Sequence, residues 1–164
     1  MKKSEIRIIV EDYLSAEELP VQDRQLLAEA ITGASTSYSP YSSFRVGAAV
    51  RLDNGEVITA SNQENAAYPS GLCAERVALF YAQAHYPESF VTGIAVYAES
   101  AEFTIERPVT PCGSCRQVMA EHEYRHGQKM RIIMGSSKGN VSVVEGIESL
   151  LPMQFVMEGL RREK

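Results

Sequence analysis

This chain has no tryptophan, only three cysteines and no surplus of positive charge. Each shortage excludes something. A small, odd number of cysteines cannot build a disulfide framework, and in a reducing compartment it points to metal binding or catalysis. Sixteen Lys and Arg stand against twenty-one Asp and Glu, a formal net charge of −5. That balance argues against a long polyanionic partner, because phosphate contacts supply most nucleic-acid affinity. It leaves a small neutral substrate open. No apolar run reaches the roughly 18 residues needed to span a bilayer. The opening M-K-K-S-E-I-R has no apolar core of the kind a secretory leader carries, so the expected location is the cytoplasm, away from membranes. Low-complexity tracts and internal repeats are also missing. What remains is a chain of 164 residues, 45% of them apolar, which suits one globular domain with a real core.

Hydrophobic periodicity divides that domain into elements. Residues 5–10, E-I-R-I-I-V, read as a short strand or an arm, and residues 1–20 as an addition to the main body. After Pro20, the apolar positions Leu26, Leu27, Ala30 and Ile31 recur at helical spacing. Gly33 and the S-T-S-Y-S-P stretch should end that helix. F-R-V-G-A-A-V-R-L, the turn D-N-G and E-V-I-T-A-S-N form a hairpin. A helix is expected from about Leu72, burying Val77, Leu79 and Phe80. T-G-I-A-V-Y-A-E is apolar on both faces, as a central strand would be. Thr110 and Pro111 suit the cap and first position of another helix. M-R-I-I-M and V-S-V-V are the last strands, followed by a short helix in a tail that Pro152 interrupts. The order β-β-α-β-α-β-β predicts an α/β fold, a mixed sheet of about five strands sandwiched between helices on both faces as three layers.

The three cysteines sit in two short runs, C-A-E-R at 73–76 and P-C-G-S-C at 111–115. Three thiolates are what a catalytic zinc site needs when its fourth position is kept for water. Cys112 and Cys115 are three apart and share a helical face. Both runs fall where helices begin, and the positive end of a helix favours the thiolate. Glu75, two residues beyond Cys73, does not share its face. Side chains lean toward the helix N-terminus, so Glu75 can reach the metal's open side as a proton carrier without ligating it. Arg76 is three residues after Cys73 and can hydrogen-bond its sulfur. Cys-x-Glu followed by Pro-Cys-x-x-Cys is the signature of zinc deaminases acting on nucleosides and nucleobases.

In its motifs the chain resembles the small, free-nucleoside cytidine deaminases, strongly over about residues 38–120. The segments that carry the resemblance are Y-S-P-Y-S-S-F-R-V-G-A-A-V, N-Q-E-N-A-A-Y-P, C-A-E-R and P-C-G-S-C-R-Q, in that order. The resemblance implies one zinc per chain on Cys73, Cys112 and Cys115, with Glu75 as the acid/base. It implies that Asn62 and Glu64 hydrogen-bond the ribose 3′-hydroxyl. Phe44 would pack near the nucleoside, and the Ala66 backbone would contact the base. Gln117 would support the last thiolate. It further implies deamination of cytidine and 2′-deoxycytidine in pyrimidine salvage, and a homo-oligomer, usually a tetramer. In such a tetramer the tail phenylalanine, here Phe155, contacts the base in a neighbour's site. The family usually continues Gly-Pro after that phenylalanine; this chain has Val156-Met157.

Each feature has a plainer reading when taken alone. Cys73 could be an ordinary buried thiol, and Cys112-x-x-Cys115 a redox pair or a structural metal clip. Glu75 and Arg76 could be solvated helix residues, Asn62 and Glu64 turn formers, and Phe44 and Phe155 core aromatics. The joint pattern favours the catalytic reading. His122-Glu123-Tyr124-Arg125-His126 also spells the H-E-x-x-H string of zinc peptidases. Gly127 follows at once and no third ligand is signposted, so these residues are expected to be the solvated end of the third helix. Polynucleotide deaminases usually carry His at the position of Cys73 and need a basic surface. A cytosine-bearing antibiotic nucleoside would keep the chemistry and change only the substrate.

Overall fold

A computed structural model describes residues 1–156. Among the described residues the strands and α-helices follow in order: β1 (Glu11–Tyr13), α1 (Val21–Ala34), β2 (Phe44–Leu52), β3 (Val57–Ser61), α2 (Ala74–His85), β4 (Val91–Ser100), α3 (Gly113–His126), β5 (Arg131–Gly135) and β6 (Val141–Glu145), with the expected short tail helix as a 3-10 turn at Ile147–Ser149. The strands form one sheet in the order β1-β6-β5-β4-β2-β3. All neighbours are antiparallel except β4 and β5, whose parallel pairing requires the crossover that α3 provides.

Alternation along the strands sorts the core into two layers. Ala48, Val50, Ile94, Val96, Ile132 and Met134 face α2 and α3, where they bury Ala78, Leu79, Met119 and Ala120. The intervening Ala49, Ala95 and Ile133 face α1 and meet Leu26, Leu27 and Ala30. The result is the expected three-layer sandwich, with one helix on one face and two on the other. The α1 layer lies very close to the sheet. A methyl group added at Gly47 would come within 1.9 Å of the Ala30 carbonyl oxygen, so no side chain fits there. Among the described residues no helix is long and apolar enough to cross a membrane.

Several local expectations are corrected. The sheet has six strands rather than about five, because Glu11–Tyr13 pairs with β6 as an edge strand. The apolar run 5–10 forms no regular element. Its neighbour pairs instead because Glu11 reaches Arg131. That guanidinium donates to Glu11 at 2.7 Å, Asp23 at 2.6 Å and Glu145 at 2.5 Å, joining the arm to α1 and β6. Gly33 lies inside α1, which runs on to Ala34. Ile31, though at helical spacing, is exposed, and so is Phe80 on α2; Val77 is half-buried and Leu79 fully buried. Both later helices begin two residues beyond the expected starts, at Ala74 and Gly113.

The H-E-x-x-H string is solvated only at its end: Arg125 is exposed, but His122 and Glu123 are buried. His122 is 2% exposed and accepts the Val91 N–H on Nε2 at 2.9 Å. Nδ1 lies 3.1 Å from the Gln83 carboxamide. With Nε2 accepting, the neutral ring keeps its proton on Nδ1, so the carboxamide oxygen belongs at that contact. Glu123 accepts the N–H groups of Met130 at 2.9 Å and Ile147 at 3.0 Å. The string therefore stitches α3 to the sheet and the tail. Gly127 ends the helix in a left-handed conformation, φ 65°, as its position suggested.

Candidate active site

Segments 39 residues apart meet because of strand direction. β3 and β4 are both antiparallel to β2, so they run the same way, and the helix after each begins at the same end of the sheet. Cys73 and Cys112 are the N-cap residues of α2 and α3, one residue before the first helical turn rather than inside it. Neither uses its side chain to cap the backbone. Both sulfurs are left to point at one another across the two helix starts. Cys115, within the first turn of α3, completes the group.

The Cys73 and Cys112 sulfurs are 3.8 Å apart, and those of Cys112 and Cys115 3.5 Å. All three lie within 4.8 Å of one another, and no other group of His, Cys, Asp and Glu among the described residues could hold a metal ion. Zinc–sulfur bonds of about 2.3 Å in a tetrahedron set sulfurs roughly 3.8 Å apart, close to the two shorter separations here, so the trio fits that ion. Cys115 is buried, whereas Cys73 and Cys112 line a cleft of about 610 Å³. An ion held by the three sulfurs would therefore be reached from the cleft. The Arg76 guanidinium donates to the Cys73 sulfur at 3.9 Å, while its Nε is buried without a partner. A positive group there offsets the excess negative charge of three thiolates.

The three sulfurs do not ionise alike. Hydrogen bonding from the Cys115 thiol, helped by Arg76, holds the Cys73 thiol down to about 5 despite its partial burial. The same contact, together with burial, pushes Cys115 up. Glu75 is 4% exposed and lines the cleft. Burial raises its carboxyl above the usual range, with the Cys73 charge adding to the effect. A carboxyl raised in this way exchanges protons more readily near neutrality than a solvated one.

The cleft's opposite wall comes from the start of β2 and the residues after β3. Phe44, Asn62 and Glu64 line it, with Tyr41, Ser42, Asn65 and Tyr68. Asn62 is already heavily engaged. Its Oδ1 accepts the Val46 N–H at 2.8 Å and the Ser37 hydroxyl at 2.5 Å, and its Nδ2 donates to the Phe44 carbonyl at 3.0 Å. One N–H remains for a ligand. Glu64 accepts the Tyr41 N–H at 2.9 Å and the Ser42 hydroxyl at 2.5 Å, contacts that lower its pKa and keep it an acceptor. Ser43, at φ 54°, is a non-glycine residue in the left-handed region, and it turns the chain so that Phe44 enters the sheet at the cleft.

Other residues singled out in the sequence lie elsewhere. Ala66 is exposed and outside the cleft walls, where its neighbour Asn65 stands. Gln117 donates to the Phe155 carbonyl at 2.9 Å rather than to a sulfur. Phe155 is 67% exposed and does not line the cleft of its own chain. Sequence reasoning missed Arg116, whose guanidinium holds the approach to α3. It donates to the Pro111 carbonyl at 2.7 Å, the Thr110 hydroxyl at 3.0 Å and the Leu150 carbonyl at 2.8 Å. The only signal was an arginine directly after the last thiol.

Residues 20–128 match the family described as the cytidine and deoxycytidylate deaminase zinc-binding region. The chain is 41% identical to a cytidine deaminase from Halalkalibacterium halodurans over 139 residues, covering 84% of this chain and 98% of that protein. It is 38% identical to a cytidine deaminase from Sporosarcina psychrophila over 136 residues, 83% of this chain and 93% of the relative. The crystal structure of cytidine deaminase from Burkholderia pseudomallei superimposes with a TM-score of 0.69 at 36% identity, covering 80% of this chain and 97% of the other.

Proposed function

The chain belongs to the zinc-binding cytidine and deoxycytidylate deaminases, and we propose that it hydrolyses cytidine and 2′-deoxycytidine to uridine and 2′-deoxyuridine with release of ammonia. One observation carries the reading: three converging sulfurs and the buried Glu75 share a cleft with Phe44, Asn62 and Glu64. Cys73, Cys112 and Cys115 hold the zinc, which supplies the Lewis acidity that makes water reactive at neutral pH. The protein's own groups do the rest. Phe44 packs against the nucleoside. The free N–H of Asn62 and the remaining lone pairs of Glu64 take the ribose 3′-hydroxyl. The Ala66 backbone, next to Asn65 on the cleft wall, is assigned to the base. As water adds to C4 of the cytosine ring, Glu75 accepts its proton and delivers it to ring N3. It then passes the second proton to the amino group, and the C4–N bond breaks to give the uracil product and ammonia. The water supplies both protons and the new oxygen.

The same reading makes the chain a single domain over residues 1–164 with an added arm at 1–20. It also makes it a cytoplasmic enzyme of pyrimidine salvage that assembles as a homotetramer. The exposure of Phe155 supports a role in a neighbour's site, and Gln117 then positions Phe155 through its carbonyl as well as standing near the last thiolate. The test is a nucleoside panel assayed by loss of cytidine absorbance, with metal analysis on the same sample. Zinc-loaded protein should turn over both nucleosides. Glu75→Gln should keep zinc and fold and lose activity by about 10²-fold or more. Zinc-loaded protein that turns over neither nucleoside refutes the proposal.

A further inference from the structure

The long connection from β4 to α3 carries an aromatic ring for which neither the sandwich nor the metal site accounts. Phe103 is 55% exposed, and its ring lies nearly parallel to that of Phe44, with centroids 6.4 Å apart and planes 19° apart. Phe44 lines the cleft; Phe103 does not. An exposed phenylalanine on a loose loop would not hold such a place. This loop is pinned on both sides of the ring. Before it, the Glu102 N–H donates to the Ser100 hydroxyl at 3.2 Å. After it, Ile105 is buried and its N–H donates to the Ser137 hydroxyl at 3.0 Å, and the Val109 N–H reaches the Gly135 carbonyl at 3.3 Å. The backbone of Phe44 is fixed separately, through Asn62 on its carbonyl and the Ser42 hydroxyl on its N–H at 3.0 Å. Its ring has Phe103 as its one aromatic neighbour among the described residues.

We propose that Phe103 is a positioning residue that holds the Phe44 ring flat against the nucleoside cleft, so that it sets substrate affinity rather than the rate of the chemical step. The assignment rests on the nucleoside reading above. An unsupported Phe44 ring would sample other rotamers and would have to be ordered on binding. An aromatic pair of this geometry is worth about a threefold to tenfold change in binding. Phe103→Ala should therefore raise KM for cytidine about threefold to tenfold while kcat stays within about twofold and zinc content is unchanged. Phe103→Tyr, which keeps the ring, should restore KM. Phe103→Leu, which keeps apolar bulk without the flat face, should behave like the alanine variant and carries the test if Phe103→Ala fails to fold. In a Phe44→Ala background, Phe103→Ala should add nothing further, because its effect passes through the missing ring. Calorimetric binding of cytidine to Glu75→Gln protein, with and without Phe103→Ala, should show the same weakening without turnover.

An unchanged KM in Phe103→Ala, or an effect that adds fully to that of Phe44→Ala, overturns the assignment alone. So does a parallel loss of kcat and zinc, which would place the loop's role at Cys112. Wild-type protein that neither binds nor converts any nucleoside overturns the function and this assignment together.

Discussion

Burial of His122 makes a quantitative prediction about acid stability. Desolvation, reinforced by the nearby charges of His126 and Arg125, lowers its pKa from 6.5 to about 4. The imidazole also spends Nε2 as an acceptor for the Val91 N–H, so protonation breaks that bond as well as burying a charge. The folded pKa lies below the unfolded one. The stabilisation is therefore complete above pH 6.5 and drains away as the pH falls toward 4, where the unfolded chain binds a proton that the folded chain refuses. At about 1.4 kcal/mol per unit of pKa difference, the loss between pH 7 and pH 4.5 is about 2.5 kcal/mol. For an m-value near 2 kcal/mol per molar urea, the unfolding midpoint should fall by roughly 1.2 M. The control is His122→Gln, whose carboxamide places a non-titrating acceptor near the Nε2 position. It should be less stable at pH 7, yet lose less on acidification by about the same 2.5 kcal/mol. Burial raises the Glu123 carboxyl, so that group opposes the trend. Like acid release of zinc, it is common to both proteins and cancels in the difference. Midpoints that move in parallel for the two proteins between pH 7 and pH 4.5 would refute the reasoning.

Two further substitutions probe the frame that carries the site. Gly47→Ala forces a methyl group to within 1.9 Å of the Ala30 carbonyl oxygen and should destabilise by about 3 kcal/mol, a thermal midpoint lower by roughly 6–12 °C; an unchanged midpoint would mean that α1 can lift off the sheet at little cost. Arg131→Ala strands Asp23, which is 3% exposed, and should cost about 3 kcal/mol in urea unfolding, whereas Glu11→Ala removes a partner whose side chain is half-exposed and should cost under about 1 kcal/mol. Equal losses from the two would contradict the assignment of Asp23 as the buried member of that cluster.

What the sequence made legible follows from how locally each feature is specified. The β2–β3 hairpin, the end of α3 at Gly127 and the grouping of the three cysteines are written in neighbouring residues, and the structure has all three. The start of α3 is different. Thr110-Pro111 has the form of a helix cap, yet Arg116 bonds to both residues ahead of the helix, and Cys112 becomes the cap instead. The burial of His122 and Glu123 was invisible because their partners, Val91, Met130 and Ile147, come from other parts of the chain. The edge strand at Glu11–Tyr13 was hidden for the same reason. A polar Glu-Asp-Tyr segment pairs where an apolar run does not, since the choice is made by an arginine 120 residues away. Within the cleft, the hydrogen bonds that engage most of Asn62 depend on Ser37 and Val46, which no motif couples to it.

The sheet order has a practical side. β1 occupies one border, and the cleft lies toward the other, with Phe44 and Val46 of β2 and Val96 of β4 in its walls. Four strand spacings, about 19 Å, separate β1 from β2. Glu11, where the arm joins the sheet, is therefore far from that wall of the cleft, and a fluorophore coupled along the β1 border leaves the mouth of the cleft unobstructed on the same molecule.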